Sequence, residues 1–217
     1  MTKKRLITLT GPSGTGKSRM ADMMKERGLG VQIVTCTTRP PRAGEIDGQH
    51  YHFISMDEFV KREARGEFIE SARFGKDGHV AAYGAARADA ELAFAVGKPV
   101  IFVCEPEGTQ NIHAYAQVEG WECTRVFLDN PMHILAKRFL ERFVGDKSAS
   151  LEKYAGRMTE MFTTEREMWV APAHDGRHPY ELVVNEFTPE TEVAVMNAIL
   201  EKAGVVPAKK SRKALNP

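Results

Sequence analysis

The segment Gly11-Pro12-Ser13-Gly14-Thr15-Gly16-Lys17-Ser18 constrains this chain more than any other part of it. Its spacing is that of a phosphate-binding loop, with a lysine and a hydroxyl after the last glycine. An apolar run, Leu6 to Leu9, precedes it as a buried strand would, and residues 18–27 continue it in a helical pattern. A strand, loop and helix in that order turn main-chain N–H groups and the positive end of a helix toward an anion. Lys17 would then reach the β- and γ-phosphates, and the Ser18 hydroxyl would ligate Mg²⁺. The plain alternative is a glycine-rich turn in some other α/β protein, and the flanking elements disfavour it. The expectation is a nucleoside triphosphate, ATP with Mg²⁺, held by Gly11 to Ser18.

The rest of the chain repeats the same rhythm. Strand-like runs recur at 6–10, 31–35, 100–104, 124–128 and 181–184, separated by helical patterns at 18–27, 86–96, 109–118, 132–143 and 151–169. Such alternation predicts a parallel sheet with helices on both faces. A last helix is expected from Thr188 as N-cap and Pro189 to about Ala203. Residues 49–74 break the pattern. There, a strand at 51–54, a helix at 56–65 opened by Ser55 with Glu58 three residues on, and a strand at 68–74 predict a small inserted α+β lobe.

At 217 residues, 42% hydrophobic and 27% charged, the chain suits one domain with inserted lobes. We expect a core of 1–35, 86–128 and 170–205, a lobe at 36–85, a lid at 129–169 and a tail at 206–217. The tail carries Lys209, Lys210, Arg212 and Lys213 without apolar periodicity and is expected to be disordered. A net charge of +1 argues against nucleic-acid or membrane binding through bulk charge. Three widely spaced cysteines, Cys36, Cys104 and Cys123, suggest reduced thiols and a cytoplasmic setting. No apolar run approaches the ~18 residues of a membrane span, and the basic start leads straight into the first strand, so no cleaved leader is expected.

A second anion site is suggested after the second strand. Arg39 and Arg42, stiffened by Pro40 and Pro41, could clamp one phosphate bidentately, and Tyr51 could add a hydroxyl. Solvated arginines on a surface loop are the competing reading of these residues alone. However, Thr37-Thr38-Arg39-Pro40-Pro41-Arg42-Ala43-Gly44-Glu45-Ile46-Asp47-Gly48-Gln49-His50-Tyr51-His52-Phe53-Ile54 resembles the guanylate kinase signature along its length. The glycine loop and Gly66-Glu67-Phe68-Ile69-Glu70 resemble that family too. The similarity is dense through Phe74 and sparse from there to Ile199.

The resemblance implies a P-loop kinase of nucleoside monophosphates, transferring a phosphoryl group from ATP to GMP or dGMP. It implies that Arg39, Arg42, Tyr51 and Tyr83 hold the acceptor phosphate, with Glu45, Gly84 and Glu105 beside the same nucleotide. Glu70 would accept from guanine N1–H and the 2-amino group, and Thr35 stands where the family usually has a serine at the guanine edge. Arg138, Arg142 and Arg157 resemble lid arginines over the transferred group, and Asn185 resembles an asparagine near adenine. The physics of Glu70 agrees, because a carboxylate accepting two donors suits guanine and leaves adenine unpaired.

The chain also departs from the family. An Asp-x-Asp pattern reads Val103-Cys104-Glu105 here, so metal positioning or turnover is expected to differ. A small hydroxyl is replaced by Ala85, and the stretches 75–82 and 143–150 are longer than usual. Extra room beside the acceptor raises a modified guanine nucleotide as an alternative substrate. A guanylate-kinase-like protein-binding module is the other alternative, against which the intact Gly16, Lys17 and Ser18 weigh. His50 and His52 share a strand face but have no evident third ligand, so ordinary strand histidines are expected. Trp121 and Trp169 are read as packing residues.

Overall fold

The apolar run before the glycine loop becomes the middle strand of a five-stranded parallel sheet. The computed structural model describes residues 3–41, 44–75, 80–145 and 150–205. In chain order the elements are β1 (Arg5–Thr10), α1 (Lys17–Glu26), β2 (Val31–Gln32), β3 (Cys36–Thr37), β4 (His52–Phe53), α2 (Met56–Ala64), β5 (Phe68–Phe74) and β6 (Ala81–Ala86). There follow α3 (Arg87–Ala95), β7 (Val100–Val103), α4 (Pro106–Glu119), β8 (Glu122–Leu128), α5 (Met132–Gly145) and α6 (Leu151–Phe162). A π-helical turn (Arg166–Val170), α7 (Ala171–His174), β9 (Leu182–Val184) and α8 (Glu192–Lys202) complete it.

The sheet order is β2-β7-β1-β8-β9, and every pairing in it is parallel. Parallel strands are covered on both sides, so neighbouring residues must feed two cores. Ile7, Leu9, Ile101, Val126 and Leu128 pack under α1 and α8 with Met20, Met24, Met196 and Ile199. Leu6, Val100 and Phe102 pack on the opposite face under α3 and α4 with Ala90, Ile112 and Trp121. The chain leaves β1 for the edge strand β2, returns through β7, then crosses to β8. That reversal puts the glycine loop at the carboxyl ends of the strands, where open α/β sheets bind ligands.

The run at 31–35 is divided between two sheets, which sequence periodicity alone does not reveal. Val31 pairs with Val100 of the parallel sheet, whereas Cys36 pairs with His52 and Gly84. The second sheet has order β4-β3-β6-β5 and carries α2 on one face. Ser55 caps α2, its Oγ accepting from the Glu58 N–H at 3.1 Å. Phe59 of that helix stacks on Phe68, with ring centroids 4.7 Å apart. Gly84 makes this possible, because a Cβ there would stand 2.9 Å from Phe68 and 3.0 Å from Phe59. A mixed α/β fold with an inserted α+β lobe and a helical lid is therefore what the chain adopts.

The lid helices α5 and α6 close on Leu135, Phe139 and Met161. The last helix starts later than its sequence suggests. Residues Thr188 to Thr191 form a hydrogen-bonded turn, with Thr191 Oγ1 accepting from the Thr188 N–H at 2.9 Å, and α8 begins at Glu192. The threonine after Pro189 satisfies the turn itself and delays the first helical residue. Arg42, parts of both lengthened stretches (76–79 and 146–149) and the basic tail lie outside the described residues.

Candidate functional site

The glycine loop is shaped by its neighbours. Gly11 has φ 142°, and a Cβ there would stand 2.0 Å from the Leu128 carbonyl oxygen. Gly16, at φ 97°, precedes α1, and a Cβ would sit 2.5 Å from the Phe187 ring. Only glycine meets both demands of backbone and space. Asn130 holds the loop from beneath: its Nδ2 donates to the Thr15 carbonyl at 3.1 Å, and its Oδ1 accepts from the Phe187 N–H at 2.8 Å. Arg138 braces the other side, donating to the Gly14 carbonyl at 2.9 Å and the Phe187 carbonyl at 2.7 Å.

Lys17 Nζ donates to the carbonyls of Gly11 and Pro12, at 2.7 and 2.9 Å. Burial brings its pKa down to about 8, against the opposing pull of the Glu165 and Glu105 carboxylates. Next to it, Arg157 Nη2 donates to Ser13 Oγ and to Glu165 Oε1, both at 2.6 Å.

A cleft of about 590 Å³ runs from this loop to the lobe sheet. Gly11, Ser13, Lys17, Ser18, Glu105 and Arg157 line one end. Thr35, Tyr51, Glu70 and Tyr83 line the other. The structure thus brings together residues that the sequence scatters over more than a hundred positions. Glu70 faces Gly108, where a Cβ would stand 3.3 Å from Oε1. Burial pushes the Glu70 carboxyl up to about 7, and the neighbouring Glu107 and Glu105 add to the rise. Glu105 is itself raised, chiefly by burial. The Cys104 thiol, pushed up to about 12 by burial, is no nucleophile.

Other candidates stand apart from that lining. Arg39 forms a bidentate pair with Glu45, at 2.9 and 2.8 Å, and lies 5.3 Å from the centroid of the Tyr51 ring. Gly84 packs against aromatic rings as described, Arg142 is exposed in the last turn of α5, and Asn185 is exposed just past β9. Pro12, Gly14, Thr15 and Gly16 build the loop without lining the cleft. His50, by contrast, lines the cleft, its Nδ1 accepting from the Ile46 N–H at 3.0 Å, and His52 lies 3.8 Å from Asp89. Among the described residues, no group of three or more His, Cys, Asp or Glu side chains could hold a metal.

Several contributors escape a reading of the sequence. Glu165 and Asn130 touch the loop from residues more than a hundred positions away, and no local pattern marks them. Trp169, read as packing, does pack against the cluster of Phe127, Val170 and Ala173, and the π-helical turn that carries it also brings it to the cleft. Such turns often sit at functional sites.

A family model for guanylate kinase matches residues 3–201. The chain is 42% identical to a guanylate kinase of Sphingopyxis alaskensis over 63% of its own length and 60% of the relative's. To a guanylate kinase of Wolinella succinogenes it is 35% identical over 73% of this chain and 72% of the relative. It spans less than two thirds of some relatives: 60% of the Sphingopyxis protein and 54% of one from Rhodopseudomonas palustris. The crystal structure of guanylate kinase from Anaplasma phagocytophilum superposes with a TM-score of 0.59 at 23% identity, covering 93% of this chain and 87% of that one, which speaks to the fold. With the glycine loop and the lobe opening onto one cleft, and a family match across nearly the whole length, this chain belongs to the guanylate kinase family.

Proposed function

We propose that this protein transfers the γ-phosphoryl group of ATP to GMP or dGMP, giving ADP and the diphosphate. One observation carries the reading: a single cleft has an anion cradle with a partly buried lysine at one end and a partly buried carboxylate, Glu70, at the other. Phosphoryl transfer asks little covalent work of side chains, so positioning and positive charge suffice. Lys17 exchanges its carbonyl partners for phosphate oxygens. Arg157, on the lid, adds charge over the transferred group, and Arg138 keeps the loop in shape. Tyr51 and Tyr83, with Arg39 released from Glu45 and Arg42 from the same loop, hold the acceptor phosphate. Glu70 reads guanine, and Thr35 adds a hydroxyl at its edge.

The donor set also suits Mg²⁺. Ser18 and Glu105 bring hard oxygens to the loop end of the cleft, and Mg²⁺ typically takes only one or two protein ligands beside the phosphates. The ion, when bound, neutralises developing charge on the phosphates. We assign the 36–85 segment to acceptor binding, 129–169 to the lid, and the reaction to the cytoplasm, where the three free thiols would persist. Among the described residues no helix is long and apolar enough to cross a membrane.

A modified guanine nucleotide is the second reading, favoured by Ala85, whose methyl lines the acceptor end of the cleft in place of a hydroxyl. Purified protein with ATP and Mg²⁺ should release ADP with GMP or dGMP at least about a hundredfold faster than with AMP, CMP or UMP. A modified guanine nucleotide outrunning both would transfer the assignment to the second reading. No ADP release with any monophosphate would leave a binding module.

A further inference from the structure

Glu165 has only 3% of its surface exposed. Its Oε2 accepts from the Ser13 main-chain N–H at 3.2 Å, and its Oε1 accepts from Arg157 Nη2 at 2.6 Å. That same Nη2 donates to Ser13 Oγ at 2.6 Å, while Arg157 Nη1 donates to Glu160 at 2.7 Å. Thus a carboxylate oxygen sits on an N–H of the phosphate loop, neutralised by a lid arginine, while Lys17 is held by the loop's own carbonyls.

We propose that Glu165 is a positioning residue that stands in for a nucleotide phosphate oxygen. It occupies the Ser13 N–H and keeps Arg157 beside the loop until the donor arrives, then yields both. This inference rests on the kinase reading above. The physical case is one of satisfied and unsatisfied groups. Without an anion, the Ser13 N–H would lose its carboxylate partner and the half-buried guanidinium of Arg157 would keep only Ser13 Oγ and Glu160 among the described residues, at appreciable cost. With a triphosphate bound, Glu165 and the phosphates carry like charge and cannot share the same donors. The phosphates bring more oxygens and more charge, so they take Ser13 N–H and Arg157, and the carboxylate withdraws. When ADP leaves, Glu165 returns. The donor therefore binds more weakly than the bare loop would allow, and release is eased.

Glu165→Gln keeps the shape of the side chain and removes its charge. Calorimetric titration of the full-length variant with a non-hydrolysable ATP analogue should show binding about 3- to 10-fold tighter than wild type. GMP affinity should stay within about twofold, so the KM for ATP falls while that for GMP does not. A merely structural role would instead weaken both. Analogue binding that is unchanged or weaker in the folded variant overturns the inference. Should the variant not fold, a crystal structure of the wild type with the analogue decides. Glu165 Oε2 should then lie beyond hydrogen-bond reach of the Ser13 N–H, with Arg157 turned to phosphate; a carboxylate still seated on Ser13 contradicts it. A wild type that binds no analogue overturns the kinase reading and this one with it. Normal wild-type binding with an indifferent variant overturns this one alone.

Discussion

Lys17→Ala should lower turnover with ATP and GMP by at least about three orders of magnitude while the protein remains folded. The ammonium lines the cleft, partly buried, and donates to the main-chain carbonyls of Gly11 and Pro12 in its own loop. Those bonds hold it where triphosphate oxygens would lie, and alanine leaves no cation there. The loop itself should survive, because Gly11, Gly16, Asn130 and Arg138 fix its path without the lysine. Circular dichroism and urea unfolding check the fold, and a coupled ADP assay checks the rate. A pH dependence follows as well. With a pKa of about 8 in the free protein, Lys17 loses its charge as pH rises above that value. The KM for ATP should therefore climb between about pH 8 and 9 in wild type and stay flat in a Lys17→Arg variant that retains measurable turnover.

The second large effect concerns Glu70. Glu70→Gln should reduce kcat/KM for GMP by about a hundredfold and narrow the preference for guanine over adenine. A neutral amide turns an N–H₂ toward one of two guanine donors, whereas the carboxylate accepts from both. The wild type should reveal the same group through pH. Its carboxyl, raised to about 7, is largely neutral below that value in the free protein, so kcat/KM for GMP should fall about tenfold per unit below pH 7. The sign for stability is opposite. A carboxyl whose pKa is raised by folding destabilises the fold once it ionises, so stability is lost as pH rises through about 7 and regained as pH falls toward the unfolded value. Glu70→Gln should then stabilise the nucleotide-free protein at pH 8 by roughly 1–2 kcal/mol, read from the urea midpoint. A variant both more stable and less selective marks a residue kept for its ligand. Equal acceptor rankings for variant and wild type would remove Glu70 from base reading.

How far the sequence carries depends on whether a contact is local. The glycine loop, its strand and its helix are contiguous, and each demands the others, so the cradle was legible in residues 6–27. Continuous burial along β1 follows from a sheet covered on both faces, and the lobe announced itself by interrupting the rhythm at 49–74. The division of 31–37 between two sheets was not legible, because a β-branched and polar run looks the same whether it pairs with Val100 or with Gly84. The arginines show the same limit. Spacing put Arg138 and Arg142 on one helical face, but only the fold shows Arg138 bonded to the Gly14 and Phe187 carbonyls and Arg157 at the cleft. Arg39 reads as a phosphate clamp in sequence, and in the ligand-free protein it is paired with Glu45. Glu165 carries no signature at all, since its partner Ser13 lies 152 residues away.

The central claim is that donor and acceptor phosphates meet in one cleft between the loop of Lys17 and the carboxylate of Glu70. A bisubstrate compound joining adenosine to guanosine through a chain of five phosphates tests it most directly. Inhibition should be competitive against both ATP and GMP, with the guanine beside Glu70 and the phosphates on Lys17 in the crystal structure of the complex. Competition against one substrate only, or a guanine bound away from Glu70, would contradict it.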